Sequence, residues 1–107
     1  MSKTILIMDD EEALQKTLGE FLQNQGYTPL SALDGDAGFL LAKEKKPDLI
    51  LLDLIMPKKN GFDVLKLLKN NSETKDIPVI VLTNLAEVAD IDKALELGAT
   101  TYLVKGD

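Results

Sequence analysis

Five short apolar runs alternate with longer amphipathic segments along this chain, and this alternation predicts its architecture. The runs lie at residues 4–8, 27–31, 48–52, 77–82 and 100–104. Most of them lack alternating polar residues, which is typical of strands buried on both faces of a parallel sheet. The second run contains Pro29, which favours an edge strand because proline has no backbone N–H to donate.

Between the strands, apolar residues recur every three or four positions, which predicts four helices packed against the sheet. Asp10 and Asp34 are candidate N-caps for the first two helices, and Gly26 and Gly98 suit the left-handed position that ends the first and fourth. This order of elements, with short loops, predicts one α/β domain over residues 1–107. The expected fold is a doubly wound, five-stranded parallel sheet of order 2-1-3-4-5, the flavodoxin-like arrangement.

Four of the predicted strands end in charged or hydroxyl residues. The first is followed by Asp9 and Asp10, the third by Asp53, the fourth by Thr83 and the fifth by Lys105. In an open parallel sheet the carboxyl ends of the strands share one edge, where ligands bind. We therefore expect three carboxylates, one hydroxyl and one ammonium to converge at that edge.

This predicted set of groups suits metal-assisted phosphoryl transfer. Three neighbouring carboxylates raise one another's pKa, and a divalent cation relieves their repulsion. Carboxylate oxygens suit Mg²⁺, which keeps several of its waters. The Asp53 carboxylate is a candidate nucleophile and needs no neighbouring base. Lys105 and Thr83 supply the charge and the hydrogen bond that phosphoryl oxygens require.

Composition narrows the function further. The 107 residues carry a formal net charge of −6, which argues against direct binding to nucleic acid or to an anionic membrane. The chain has no Cys and no His, so disulfides, thiol chemistry and a phosphohistidine of its own are excluded. No apolar run approaches the ~20 residues of a membrane span, and the amino terminus runs directly into a strand rather than a signal peptide. We expect a cytoplasmic protein.

Four pieces of the sequence occur in order at the ends of predicted strands: residues 9–11, residues 53–57 with Gly61, Thr83, and residues 102–105. In these features the whole chain resembles the response-regulator receiver domain (CheY-like) of two-component signalling. The resemblance implies a phosphoprotein that acts as a signalling switch in a phosphorelay, not a turnover enzyme. It implies a sensor histidine kinase or phosphotransfer protein as the upstream partner. The downstream partner would be an effector protein or an output domain that has been removed.

The resemblance also implies the acceptor and the metal ligands. Asp53 would take the phosphoryl group as an aspartyl phosphate. Mg²⁺ would bind Asp10 and Asp53 directly, with Asp9 in support and the Ile55 backbone carbonyl as a further ligand.

The remaining roles that the resemblance implies belong to the last two strand ends. Thr83 and Lys105 would complete the catalytic set by holding the phosphoryl oxygens, and Tyr102 would turn inward as the switch aromatic when the Thr83 loop closes. Two positions depart from the family pattern: Asn84 replaces a small residue, and Gly106 replaces a proline. Asn84 is expected to crowd the phosphoryl group, and Gly106 to change the turn.

The family's fifth helix is absent from this chain, which ends at Asp107. One face of the sheet is then expected to be partly bare, which predicts lower stability and homo-association through that face. The alternative function is an interaction module that keeps the fold without being phosphorylated, or an engineered fragment completed by another chain. A phosphatase of the haloacid-dehalogenase type is disfavoured because it needs a second Asp where this chain has Ile55.

Overall fold

The computed structural model describes residues 3–56, 60–84 and 88–105, which form strands and helices in strict alternation. The elements are β1 (Thr4–Met8), α1 (Glu12–Asn24), β2 (Thr28–Ala32), α2 (Gly35–Lys45), β3 (Leu49–Asp53), α3 (Gly61–Lys69), β4 (Val79–Thr83), α4 (Val88–Glu96) and β5 (Thr101–Val104). The predicted order of elements is therefore confirmed. Gly106 lies outside the described residues.

The five strands form one parallel sheet in the order β2-β1-β3-β4-β5, as predicted. The register places Met8 of β1 beside Leu52 of β3. It also places Asp53 beside Leu82 of β4, and Thr83 beside Val104 of β5. The last residues of these strands therefore lie along one edge of the sheet, which positions the residues that follow them.

The helices cover the two faces of the sheet unequally. In the larger core, side chains of α2, α3 and α4 pack against one face of the sheet. The strand residues on that face include Leu6, Ile50 and Val81. The smaller core packs Leu18 and Leu22 of α1 against the other face, where its strand residues are Ile5, Ile7, Leu51 and Leu82. Alternate strand residues are buried on opposite faces, which explains the absence of polar alternation in the sequence.

Strand β5 is the least covered of the five, since all four of its residues are exposed. Leu103 pairs in register with Leu82 and so lies on the α1 face, where its side chain is 52% exposed. The expected bare area on this face is thus present at Leu103, although Leu82 beside it is buried.

Most of the predicted helix ends are confirmed. The Asp34 side chain accepts a hydrogen bond of 2.9 Å from the Ala37 N–H at the start of α2, and Gly26 and Gly98 have φ values of 93° and 110°. The prediction that Asp10 caps α1 is wrong. The N-cap residue is Glu11, because the Asp9 N–H still pairs with the Ala32 carbonyl at 3.1 Å and keeps the chain extended there. None of the helices within the described ranges is long and apolar enough to cross a membrane.

Candidate functional site

Asp53 ends β3 at the centre of the sheet and is almost fully buried. One carboxylate oxygen, Oδ1, accepts a hydrogen bond of 3.1 Å from the Ile55 N–H. The other oxygen, Oδ2, lies 3.2 Å from Lys105 Nζ. The two contacts fix the orientation of the side chain, so that Oδ2 is directed toward the end of β5.

Asp9 follows β1 and has the same arrangement. Its side chain is fully buried, Oδ1 accepts a hydrogen bond of 2.9 Å from the Glu11 N–H, and Oδ2 lies 2.7 Å from Lys105 Nζ. Each carboxylate therefore uses one oxygen on the amide two residues further along and the other on Lys105. This common geometry follows from the turn that each chain segment makes as it leaves its strand.

Asp10 completes a group of three carboxylates with Asp9 and Asp53. One oxygen from each of them lies within 4.8 Å of the other two, and only Asp10 is exposed. Three hard oxygen donors at this spacing, with one side open to solvent, match the ligands that Mg²⁺ prefers. Three of the four sequence-predicted metal residues, Asp9, Asp10 and Asp53, are therefore brought together. The Ile55 side chain is 71% exposed beside the same opening.

Lys105 neutralises much of this negative charge. Its Nζ lies within 3.2 Å of three carboxylates, those of Asp9, Glu11 and Asp53, and its side chain is only 8% exposed. Burial alone would lower the pKa of Lys105, but the hydrogen bonds and charges of these carboxylates raise it above its ordinary value. Lys105 therefore stays charged at any physiological pH.

The pKa of Asp53 is raised above its ordinary value of 3.8, and the first cause is its burial. The Ile55 amide lowers it, the neighbouring Asp9 charge raises it, and Lys105 lowers it. The predicted mutual repulsion of the carboxylates is therefore present, but desolvation contributes more. Sequence alone did not indicate how deeply this side chain is buried.

Thr83 and Tyr102 occupy different environments. Thr83 ends β4, is 7% exposed, and its carbonyl accepts a hydrogen bond of 2.7 Å from the Lys105 N–H. This bond fixes the start of the Lys105 side chain relative to β4. Asn84 is exposed next to it. Tyr102 pairs in register with Val81 and is 39% exposed at the surface of β5, so its ring lies outside the core.

Gln15 is a buried residue of the site that the sequence analysis missed. Its side-chain amide donates to the carbonyls of Ile7 at 2.8 Å, Asp9 at 3.1 Å and Ala32 at 3.0 Å. The amide thereby joins the ends of β1 and β2 and holds the backbone carbonyl of Asp9. The available signal was position, because Gln15 falls on the same helical face as Leu18 and Leu22.

Gly61 supports the site from the start of α3. Its N–H donates to the Leu54 carbonyl at 2.8 Å. A Cβ at this position would lie 2.5 Å from both the Asp53 carbonyl oxygen and the Leu54 Cα. Helix α3 therefore approaches the backbone around Asp53 more closely than any side chain permits.

Comparison with known proteins agrees with this geometry. The family model described as "Response regulator receiver domain" matches residues 5–106. The DNA-binding dual master transcriptional regulator RpaA of Synechocystis is 42% identical over 101 residues, which are 94% of this chain and 42% of that protein. The chain therefore spans less than half the length of this relative.

Solved structures give the same result. The chemotaxis protein CheY4 of Vibrio cholerae has a TM-score of 0.94 and 28% identity, covering 100% of this chain and 89% of that one. The receiver domain of a sensor histidine kinase from Pseudomonas aeruginosa, solved with a magnesium ion coordinated in its active site cleft, has a TM-score of 0.90 and 25% identity, covering 100% and 88% of the two chains. With these matches and the acidic group at its sheet edge, the chain belongs to the response-regulator receiver domain family.

Proposed function

We propose that this chain accepts a phosphoryl group on Asp53, with Mg²⁺ held by the carboxylates of Asp10 and Asp53 and supported by Asp9. The Ile55 backbone carbonyl is the fourth protein group of this proposed site. The observation that carries the proposal is that the buried Asp53 carboxylate lies in one group with Asp9 and Asp10 and also contacts the Lys105 ammonium at 3.2 Å. A phosphoryl acceptor needs this combination of a nucleophilic oxygen and positive charge.

The chain's own residues would act in a simple sequence. An oxygen of Asp53 attacks the phosphorus of a phosphohistidine, the new O–P bond forms as the P–N bond breaks, and the imidazole nitrogen takes up a proton. Lys105, now 3.2 Å from Asp53 Oδ2, moves to the incoming phosphoryl oxygens. The Thr83 hydroxyl donates to another of these oxygens. Bound Mg²⁺ supplies charge neutralisation for the transferred group.

Signalling would follow from the movement of Thr83. Drawing its hydroxyl toward the phosphoryl group shifts the start of the loop after β4, and the Tyr102 ring, now at the surface, fills the space that this shift opens. A local change in charge thereby biases an element with two conformations. The chain would act as a switch that returns to its starting state by slow hydrolysis of the aspartyl phosphate.

The proposed partners are a sensor histidine kinase or phosphotransfer protein as donor, and an effector protein or output domain as receiver of the signal, with the chain itself in the cytoplasm. We also propose self-association through the α1 face at β5, where Leu103 is 52% exposed. Size-exclusion chromatography with light scattering tests this part. Dimers that disappear in Leu103→Ser support it, and a monomer at high concentration in the wild type contradicts it.

Intact mass spectrometry tests phosphorylation directly. We expect acetyl phosphate or phosphoramidate with Mg²⁺ to add one phosphoryl group to the wild type and none to Asp53→Asn. Asp48→Asn is the matched control, since Asp48 lies just before the opposite end of β3, where its Oδ2 accepts from the Thr4 N–H at 2.8 Å. It should be phosphorylated like the wild type.

Two results would contradict the proposal. A full mass increase in Asp53→Asn would place the phosphoryl group elsewhere. No increase in a folded, Mg²⁺-saturated wild type would favour the alternative function, an interaction module that signals without phosphorylation.

A further inference from the structure

Glu11 stands at the N-terminal cap of α1 but does not cap the helix. Its side chain makes no capping hydrogen bond, whereas Asp34 and Asn60 at the caps of α2 and α3 each accept one. An N-cap side chain ordinarily accepts a hydrogen bond from the first turn of its helix, so the absence of this bond leaves the Glu11 side chain available for another contact. Glu11 instead places Oε1 3.0 Å from Lys105 Nζ.

Among the carboxylates around Lys105, Glu11 differs from the other two. Asp9 and Asp53 belong to the group of three oxygens suited to a cation, and both are buried. Glu11 lies outside that group, and its side chain is 56% exposed. When a cation takes the oxygens of Asp9 and Asp53, Glu11 is the contact that Lys105 can keep.

A divalent cation at Asp9, Asp10 and Asp53 and the Lys105 ammonium compete for two of the same carboxylates, those of Asp9 and Asp53. Lys105 Nζ lies 2.7 Å from Asp9 Oδ2 and 3.2 Å from Asp53 Oδ2, so a metal ion entering this group must displace it or suffer strong repulsion. An ammonium that leaves two buried carboxylates needs another anion nearby, because its side chain is only 8% exposed.

We infer that Glu11 is a positioning residue for Lys105: it keeps the ammonium at the rim of the site when Mg²⁺ occupies the group of Asp9, Asp10 and Asp53. This inference rests on the proposed function, since it presupposes that Mg²⁺ binds the acidic group. Glu11 lowers the cost of releasing Lys105 from the metal ligands. It also keeps the ammonium within reach of the oxygens of a phosphoryl group on Asp53.

Isothermal titration calorimetry with Mg²⁺ tests the inference without any phosphorylation. We expect Glu11→Gln to weaken Mg²⁺ binding roughly threefold to tenfold, the range typical of charges coupled in one network. Glu12→Gln is the matched control. It removes the same charge one residue away, and the ion pairs of Lys105 within the described ranges are with Asp9, Glu11 and Asp53 only. It should weaken binding less than twofold, the effect of a screened surface charge.

The Lys105→Met background shows whether Glu11 acts on Mg²⁺ binding through Lys105 or directly through its own charge. Lys105→Met alone should bind Mg²⁺ more tightly, because the competing ammonium is gone. In that background Glu11→Gln should have no more effect than Glu12→Gln. Equal effects of the two Gln variants in the wild-type background would overturn the inference. So would an excess effect of Glu11→Gln that persists without Lys105.

The ¹H–¹⁵N signal of the Lys105 ammonium gives a second, independent measurement. We expect the signal to persist at saturating Mg²⁺ in the wild type and in Glu12→Gln, because an ammonium held by a carboxylate exchanges slowly, and to broaden in Glu11→Gln. Loss of the signal in the Mg²⁺-saturated wild type would overturn the inference while leaving the metal site intact. If the wild type binds no Mg²⁺ at all, the proposed function fails first, and the inference fails with it.

Discussion

Substituting Gly61 by alanine tests the closest backbone approach in the site. A Cβ there would lie 2.5 Å from the Asp53 carbonyl oxygen and from the Leu54 Cα, about 1 Å inside normal contact distance. Both neighbours are backbone atoms at the end of a central strand, so neither can rotate away as a side chain would. Either α3 or the end of β3 must move.

The expected cost follows from three contributions. Overpacking of this kind costs about 1–3 kcal/mol. Stretching the 2.8 Å hydrogen bond from the Gly61 N–H to the Leu54 carbonyl lowers the free energy of unfolding by up to about 1 kcal/mol more. Replacing glycine in a helix returns about 0.5–1 kcal/mol, and least at the first helical position that Gly61 occupies. We expect a net loss of about 2 kcal/mol in the free energy of unfolding.

Gly19→Ala is the control, since Gly19 lies inside α1 and its nearest neighbour for a Cβ is Pro29 Cγ at an ordinary 3.9 Å. It should stabilise the chain by about 0.5–1 kcal/mol. Urea unfolding followed by circular dichroism measures both variants, with an unchanged m-value required for the comparison. If Gly61→Ala unfolds at the wild-type urea concentration or above, the close approach of α3 to the Asp53 backbone is wrong.

Three further predictions concern the site. Because burial raises the folded-state pKa of Asp53 above 3.8, the folded chain binds more protons than the unfolded chain at pH values between 3.8 and the folded-state pKa, and this contribution to stability is lost as pH rises through the folded-state pKa. Asp53→Asn should therefore stabilise the metal-free protein against urea at pH 7, with a gain that shrinks as pH falls toward 3.8; a gain that does not change with pH would contradict this cause. Gln15→Leu should cost about 2 kcal/mol in urea unfolding, because three buried carbonyls lose their shared donor, and an unchanged midpoint would mean that water replaces the amide. Asn84→Ala should shorten the lifetime of phosphoryl-Asp53 measured by mass spectrometry, because we expect the larger Asn84 side chain to crowd the attacking water; a longer lifetime would show that Asn84 orients the water instead.

The sequence sufficed for the sheet and for the residues at its edge. Buried parallel strands have an unbroken apolar pattern, so the sequence indicates where each strand ends and which residues follow it. Asp9, Asp10, Asp53 and Lys105 meet at the sheet edge as predicted. What a strand end does not reveal is how side chains divide their oxygens among partners. That division depends on distances across the sheet, between residues far apart in the chain.

The missed residues illustrate the same limit. Gln15 has the spacing of a core residue, but its three hydrogen bonds exist only because α1 crosses the ends of β1 and β2. Glu11 belongs to an acidic run at the start of α1, and a favourable interaction with the helix dipole is enough to explain acidic residues at that position. Asp10 was predicted as the cap of α1 because short acids favour that position, but the pairing of Asp9 with Ala32 delays the start of the helix.

The exposure of β5 has a consequence for the timing of ion entry. This strand pairs with β4 alone, and all four of its residues are exposed, so little buried surface opposes its separation from the sheet. Edge segments of this kind open with a smaller free energy than the fold as a whole. Each opening carries the Lys105 ammonium away from Asp9 and Asp53 while β1 and β3 remain paired. Amide hydrogens of β5 should therefore exchange faster than those of β3. During each opening, a cation can reach Asp9 and Asp53 without having to displace the Lys105 ammonium.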